Sequence, residues 1–124
     1  MINRLLHTIK CTVTDLGRSI DCENALIHTS GNAYKVALSH NGHKHTMIFH
    51  DNFRNASTLK DYLYSLYLDA ICYENARDVY DFAREYGYDD MSHARKVYRA
   101  CERQSEALHR LFTEQEISLI SEIE

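Results

Sequence analysis

Hydrophobic and polar positions change rhythm once along this chain. From Asn3 to Thr14 (NRLLHTIKCTVT), β-branched and apolar residues roughly alternate with polar ones, the pattern of a half-buried strand. Asp15-Leu-Gly-Arg-Ser19 follows as a turn. Between Asp21 and Gly31 the pattern reads two ways, as a short strand or as a helical turn ahead of a Ser-Gly-Asn loop. From Tyr34 to Phe49 it is sharper, because YKVALSH and HKHTMIF flank Asn41-Gly42, a pair that tolerates the positive φ of a type I′ hairpin turn. A two-residue loop fixes the register. His40 then faces His43, Leu38 faces His45, Val36 faces Met47 and Tyr34 faces Phe49, all on one side of the ribbon. Lys35, Ala37, Ser39, Lys44, Thr46 and Ile48 take the other side, so one face is expected to pack and the other to stay wet.

Past residue 56 the apolar spacing lengthens to the helical period. Ser57 is placed to cap a helix through Tyr73, with Leu59, Leu63, Leu66, Ala70 and Ile71 on one side and Asp61, Ser65 and Asp69 on the other. Asn75 is expected to cap a second helix, with Asp78 at its third position and Gly87 ending it in the left-handed region. Val79, Phe82, Ala83 and Tyr86 form its apolar stripe. Asp89 or Asp90 opens a third, longer helix to about Phe112, carrying Ala94, Val97, Cys101, Leu108 and Leu111 at helical spacing. Thr113-Glu-Gln-Glu116 is a capping box that introduces a last short helix with Ile117, Ile120 and Ile123.

Strands first and helices afterwards predict an α+β fold, with a small N-terminal antiparallel sheet of about three strands, including the 34–49 hairpin, packed against three to four C-terminal helices. There is no proline, no internal repeat and no low-complexity tract. A single domain over residues 1–124 is expected, sheet-rich over 1–56 and helical over 57–124.

At 124 residues, with 44% hydrophobic and 26% charged residues, the chain can bury a core without disulfides or metals. No apolar run approaches the roughly 20 residues of a membrane span, and the N-terminus lacks the pattern of a secretion signal, so a cytoplasmic protein is expected. Cys11, Cys22, Cys72 and Cys101 contain no CxxC pair and read as buried free thiols. The net charge of −4 hides an asymmetry: residues 1–56 carry six Lys/Arg against four Asp/Glu, and residues 57–124 carry eight against fourteen. An acidic helical half argues against direct binding to a phosphate backbone.

Candidate chemistry is sparse. The hairpin register gathers His40, His43 and His45, which could ligate a metal with one position open or simply close the end of a small core. No GxSxG, glycine-rich phosphate loop or HExxH occurs, and no enzymatic activity or cofactor is expected. A protein-binding surface has more material. Seven of the nine tyrosines lie between Tyr62 and Tyr88, and Asp81 and Glu85 are like charges four apart, slightly unfavourable to their own helix. Asp78, Tyr80, Asp81, Glu85, Tyr88, Asp89 and Asp90 therefore form a candidate acidic, aromatic face for a basic partner, against the plainer reading of a solvated helix surface. The alternative is the basic side of the helix near 92–112, where Arg95, Lys96, Arg99 and Arg103 would serve a small nucleic-acid-binding regulator; pairing of those charges within the protein is the simpler expectation.

Three segments also resemble, in order, a group of small phage and mobile-element proteins: the hairpin YKVALSHNGHKHTMIF, the helix ending Phe82-Ala-Arg-Glu-Tyr-Gly-Tyr-Asp89, and Ala94-Arg-Lys-Val-Tyr-Arg-Ala-Cys101 followed by Leu108 to Phe112. In that group a strand hairpin precedes a helix ending F-x4-G-Y-D and then S-x-x-A-x-x-x-Y-x-A-C. The resemblance covers about residues 33–124; here the segment between Gly87 and Ala94 is one residue shorter, and the hairpin histidines are not part of the pattern. It implies a phage or plasmid gene acting in a bacterial cytoplasm. It also implies a non-enzymatic inhibitor of the anti-CRISPR kind, occupying a host protein or ribonucleoprotein defence complex as a monomer or homodimer.

Overall fold

The computed structural model describes residues 2–22, 27–49 and 56–123. Helix α1 spans Ile2–Thr8, followed by strands β1 (Lys10–Asp15), β2 (Arg18–Asp21), β3 (Ile27–His28), β4 (Tyr34–His40), β5 (His43–Phe49) and β6 (Ala56–Ser57). Helices α2 (Leu59–Glu74), α3 (Val79–Glu85), α4 (Met91–Leu111) and α5 (Glu114–Ser121) complete the chain. The expected α+β class holds, with the sheet N-terminal and most of the helix C-terminal.

The chain's start departs from the strand expected over 3–14. Ile2, Leu5, Leu6 and Ile9 stand three, four and seven apart, which is helical spacing, and α1 buries Leu5 and Leu6 while the strand begins only at Lys10. The sheet also has one more strand than expected. It is antiparallel in the order β2-β1-β4-β5, and β3 and β6 form a separate two-stranded ribbon.

Two hairpins build that sheet. In the second, Asn41 and Gly42 both take positive φ, and the register pairs His40 with His43, Leu38 with His45, Val36 with Met47 and Tyr34 with Phe49, as the turn dictates. In the first, Leu16 and Gly17 take φ of 52° and 79° between β1 and β2. One sheet face buries Cys11, Val13, Tyr34, Val36, Leu38 and Met47; the opposite face, with Lys10, Lys35, Ala37, Thr46 and Ile48, is exposed.

Three helices cover the buried face. Helix α2 contributes Leu59, Tyr62, Leu63 and Leu66, with Tyr62 set among Tyr34 and Phe49. The end of α4 and α5 add Ala107, Leu108, Leu111, Phe112, Ile120 and Ile123 to the same core. Helix α3 stands apart from it and packs on α4 through Phe82 and Ala83.

Two helix starts sit one and three residues from their expected places, and two sit where expected. Thr58, not Ser57, caps α2 and forms the capping box with Asp61. Asp78 is itself the N-cap of α3, accepting from Asp81 N–H at 2.8 Å, while Asn75 closes α2 instead of opening α3. Asp90 caps α4 and Thr113 with Glu116 caps α5. Among the described residues, no helix is long and apolar enough to cross a membrane.

Candidate functional site

The three hairpin histidines share a strand face but not a partner. His40 is buried, stacked on Phe112 with ring centroids 5.1 Å apart, and its Nε2 lies 2.8 Å from Glu116 Oε2. His45 turns its Nε2 to the Gln104 side-chain carbonyl on α4. His43 is exposed. His40 and His45 are thus held by different helices while His43 faces solvent, and among the described residues no three His, Cys, Asp or Glu side chains gather to hold a metal ion.

Two polar clusters lie between α2 and α4. Gln104 links His45 to Asp69, donating its amide to the carboxylate at 3.5 Å. Burial raises the Asp69 pKa against that hydrogen bond. Farther along, Ser105 Oγ donates to Glu74 at 2.6 Å and His109 Nε2 lies 3.1 Å from the same oxygen. A nucleophilic serine needs the imidazole between hydroxyl and acid; here the carboxylate takes the middle place, so the arrangement joins two helices rather than activating an oxygen.

The acidic residues expected to meet a partner are largely occupied with building α3 and α4. Asp78 and Asp90 cap helices. Asp81 accepts the Arg77 backbone N–H at 3.1 Å and pairs with Arg84 at 3.2 Å, and these contacts, the backbone one first, lower its pKa. Tyr88, expected to point outward, instead stacks on Phe82 with centroids 5.8 Å apart and meets His93 edge-on. With Tyr86 and Tyr98 also against Phe82, three of the nine tyrosines belong to the clamp that holds α3 on α4. Glu85, Asp89 and Tyr80 remain exposed without such a duty, although Arg95 lies over the Tyr80 ring at 5.9 Å from its centroid.

The basic side of α4 is the opposite case. At 100° per residue, Arg95, Lys96, Arg99, Arg103 and Arg110 fall within an arc of about 100° and run about 22 Å along the helix. All five are exposed. Glu106, at helical spacing from Arg103 and Arg110, is the one carboxylate on this stripe, and Glu102 beside it is engaged by the Tyr73 hydroxyl at 3.1 Å. Among the described residues, no carboxylate pairs with any of the five, so the internal pairing expected of these charges is not found. The helix dipole accounts for Arg110 and His109 in the last turn, but its effect fades within a turn and does not explain Lys96, Arg99 and Arg103. Arg110 also donates to the Lys44 carbonyl at 3.2 Å, which brings the exposed His43 and Lys44 of the hairpin to the end of the stripe. That neighbourhood is visible only once the hairpin is folded against α4.

No family model matches this chain, and neither does any curated protein or solved structure.

Proposed function

We propose that this protein is a small, non-enzymatic nucleic-acid-binding regulator that lays the α4 stripe along a phosphate backbone. The observation that carries this reading is the row of Lys96, Arg99 and Arg103, exposed, on one face and without a carboxylate partner among the described residues. Such a row is the electrostatic footprint of phosphate binding. Duplex DNA offers a phosphate every 3.4 Å along each strand, dense enough for each side chain to find one. Within α4 no aromatic residue falls inside that arc, and Tyr80 meets it only at Arg95, so contact along Lys96, Arg99 and Arg103 is with phosphates rather than stacked bases.

Fluorescence anisotropy with a short labelled duplex, titrated across salt, tests it. The logarithm of the affinity is expected to fall linearly with the logarithm of salt, and Arg99→Ala and Arg103→Ala each reduce that slope by about one. No binding at low salt, or an unchanged slope in both variants, rejects the reading.

A second proposal is the phage-encoded inhibitor implied by the resemblance. It draws on one observation, the exposure of Tyr80, at 61%, and of the uncommitted Glu85 and Asp89 in the same stretch of chain. In it, those residues with Asp78, Asp81 and Asp90 meet the basic surface of a bacterial defence complex. Charge reversal at Glu85 and Asp89, which cap nothing, is expected to abolish capture of such a complex from lysate; undiminished capture counts against it.

A further inference from the structure

Cys11 and Cys22 face each other across the first hairpin. The β1–β2 register pairs Thr12 with Asp21, and one step further the Cys22 N–H donates to the Cys11 carbonyl at 2.8 Å. An antiparallel pair of this kind holds its Cα atoms about 5.5 Å apart, inside the range of about 4.4 to 6.8 Å that a disulfide spans. Both thiols are free, and both are on the buried side of the sheet.

The two sulfurs are not equivalent. Cys22 lies at the start of α2, where the Leu59 backbone N–H also points to its sulfur. The Cys11 thiol and that amide stabilise a thiolate on Cys22 against burial and against Asp61, and its pKa is lowered. The same contact, with burial, raises that of Cys11. Cys101 gives the contrast within the chain, its thiol pushed up to about 12 by burial first and then by Asp69 and Cys72. A cavity of about 650 Å³ between α1, β1 and β2 has both cysteines in its lining, together with His7, Lys10, Thr12 and Asp21, and the two side chains, 4% and 1% exposed, form its inner wall. Its size suits a small molecule, and Lys10 with Asp21 gives its lining charges of both signs, which suits one bearing both an amine and a carboxylate.

We propose that Cys11 and Cys22 are a redox-active dithiol that low-molecular-weight disulfides entering this cavity oxidise to a cross-strand bridge. The Cys22 thiolate attacks one sulfur of the small disulfide, forming a mixed disulfide and releasing one thiolate. Cys11 then loses its proton, and its sulfur attacks the Cys22 sulfur and expels the second thiolate. Two protein thiols are oxidised by two electrons, the small disulfide is reduced to two thiols, and the two protein protons end on those thiols.

Oxidised glutathione is the probe, followed by intact-mass and peptide mass spectrometry. The expected product is protein lighter by two hydrogens, carrying no adduct, with Cys11 linked to Cys22 and restored by dithiothreitol. Cys11→Ser is expected to stop at glutathione held on Cys22, and Cys22→Ser to give neither bridge nor adduct at Cys11. Circular dichroism establishes that each variant folds, and the wild-type peptide map decides without them where one does not. An unchanged mass, or oxidation confined to Cys72 and Cys101, overturns the proposal.

Discussion

Burial holds the Asp69 carboxyl above its ordinary range, and the Gln104 amide offsets that only in part. A group whose folded pKa is raised binds its proton more readily in the folded state, so stability falls as pH rises from 3.8 through the folded value. At neutral pH the wild-type protein therefore carries the cost of a half-buried charge, which Asp69→Asn removes while keeping an oxygen for Gln104. The variant is expected to be the more stable at pH 7 in urea unfolding, with the difference shrinking toward pH 4; a difference that grows on acidification refutes this account. His45 has the opposite sign. Burial first, then Arg110 and Arg103, lower its pKa against the Gln104 contact, so its neutral form favours the fold and stability is lost as pH falls below about 6.5. These roles could not be read from local sequence. His45 finds its partner 59 positions away and His40 finds Glu116 76 positions away, so the HxxHxH spacing named a face but not what each ring would touch.

At the scale of elements, what was legible was what is local. Capping boxes and turn residues act within three or four positions, and the Asn41-Gly42 turn, the Thr113 box and the end of α3 at Gly87 are where local chemistry places them. Gly87 has φ of 73° just past α3, and Tyr88 N–H closes the helix on the Ala83 carbonyl at 2.8 Å. No atom stands within 4 Å of an added Cβ, so Gly87→Ala isolates the backbone cost and is expected to destabilise by about 1 kcal/mol in chemical denaturation. Leu16 is the converse, a γ-branched residue at φ 52° with 69% of its surface exposed. Leu16→Asn suits the turn better, and a stabilisation of about 0.5–1 kcal/mol is expected; a loss of stability would show that Leu16 is held by contacts and not strained. Helix α1 was misread for a physical reason: in a stretch rich in β-branched residues, apolar positions at 2, 5, 6 and 9 satisfy a helix while rough alternation also suggests a strand. Packing against α5 decides between them.

Across the whole molecule, charge is separated along α4. Asp78, Asp81, Glu85, Asp89 and Asp90 lie on α3 and at the start of α4, and the stripe from Lys96 to Arg110 runs away from them toward Lys44. Counting residues by half of the chain hides this, since most of the acids that make the helical half negative in sum lie on α2, α3, α5 and the helix caps, leaving one face of α4 basic but for Glu106. The acidic end must repel a phosphate chain that follows the stripe, and its caps allow that repulsion to be removed without unfolding the helices. Asparagine caps a helix about as well as aspartate, so Asp78→Asn with Asp90→Asn is expected to leave stability within about 0.5 kcal/mol while taking away two negative charges. If α4 binds phosphates, the double variant binds duplex several-fold more tightly at low salt, and the gain fades as the screening length falls to about 10 Å near 0.1 M. If the acidic face instead meets a basic protein, the same variant captures its partner less well. Anisotropy and pull-down on one protein preparation thus give opposite signs for the two proposals, and unchanged affinity in both assays leaves Asp78 and Asp90 as caps and nothing more.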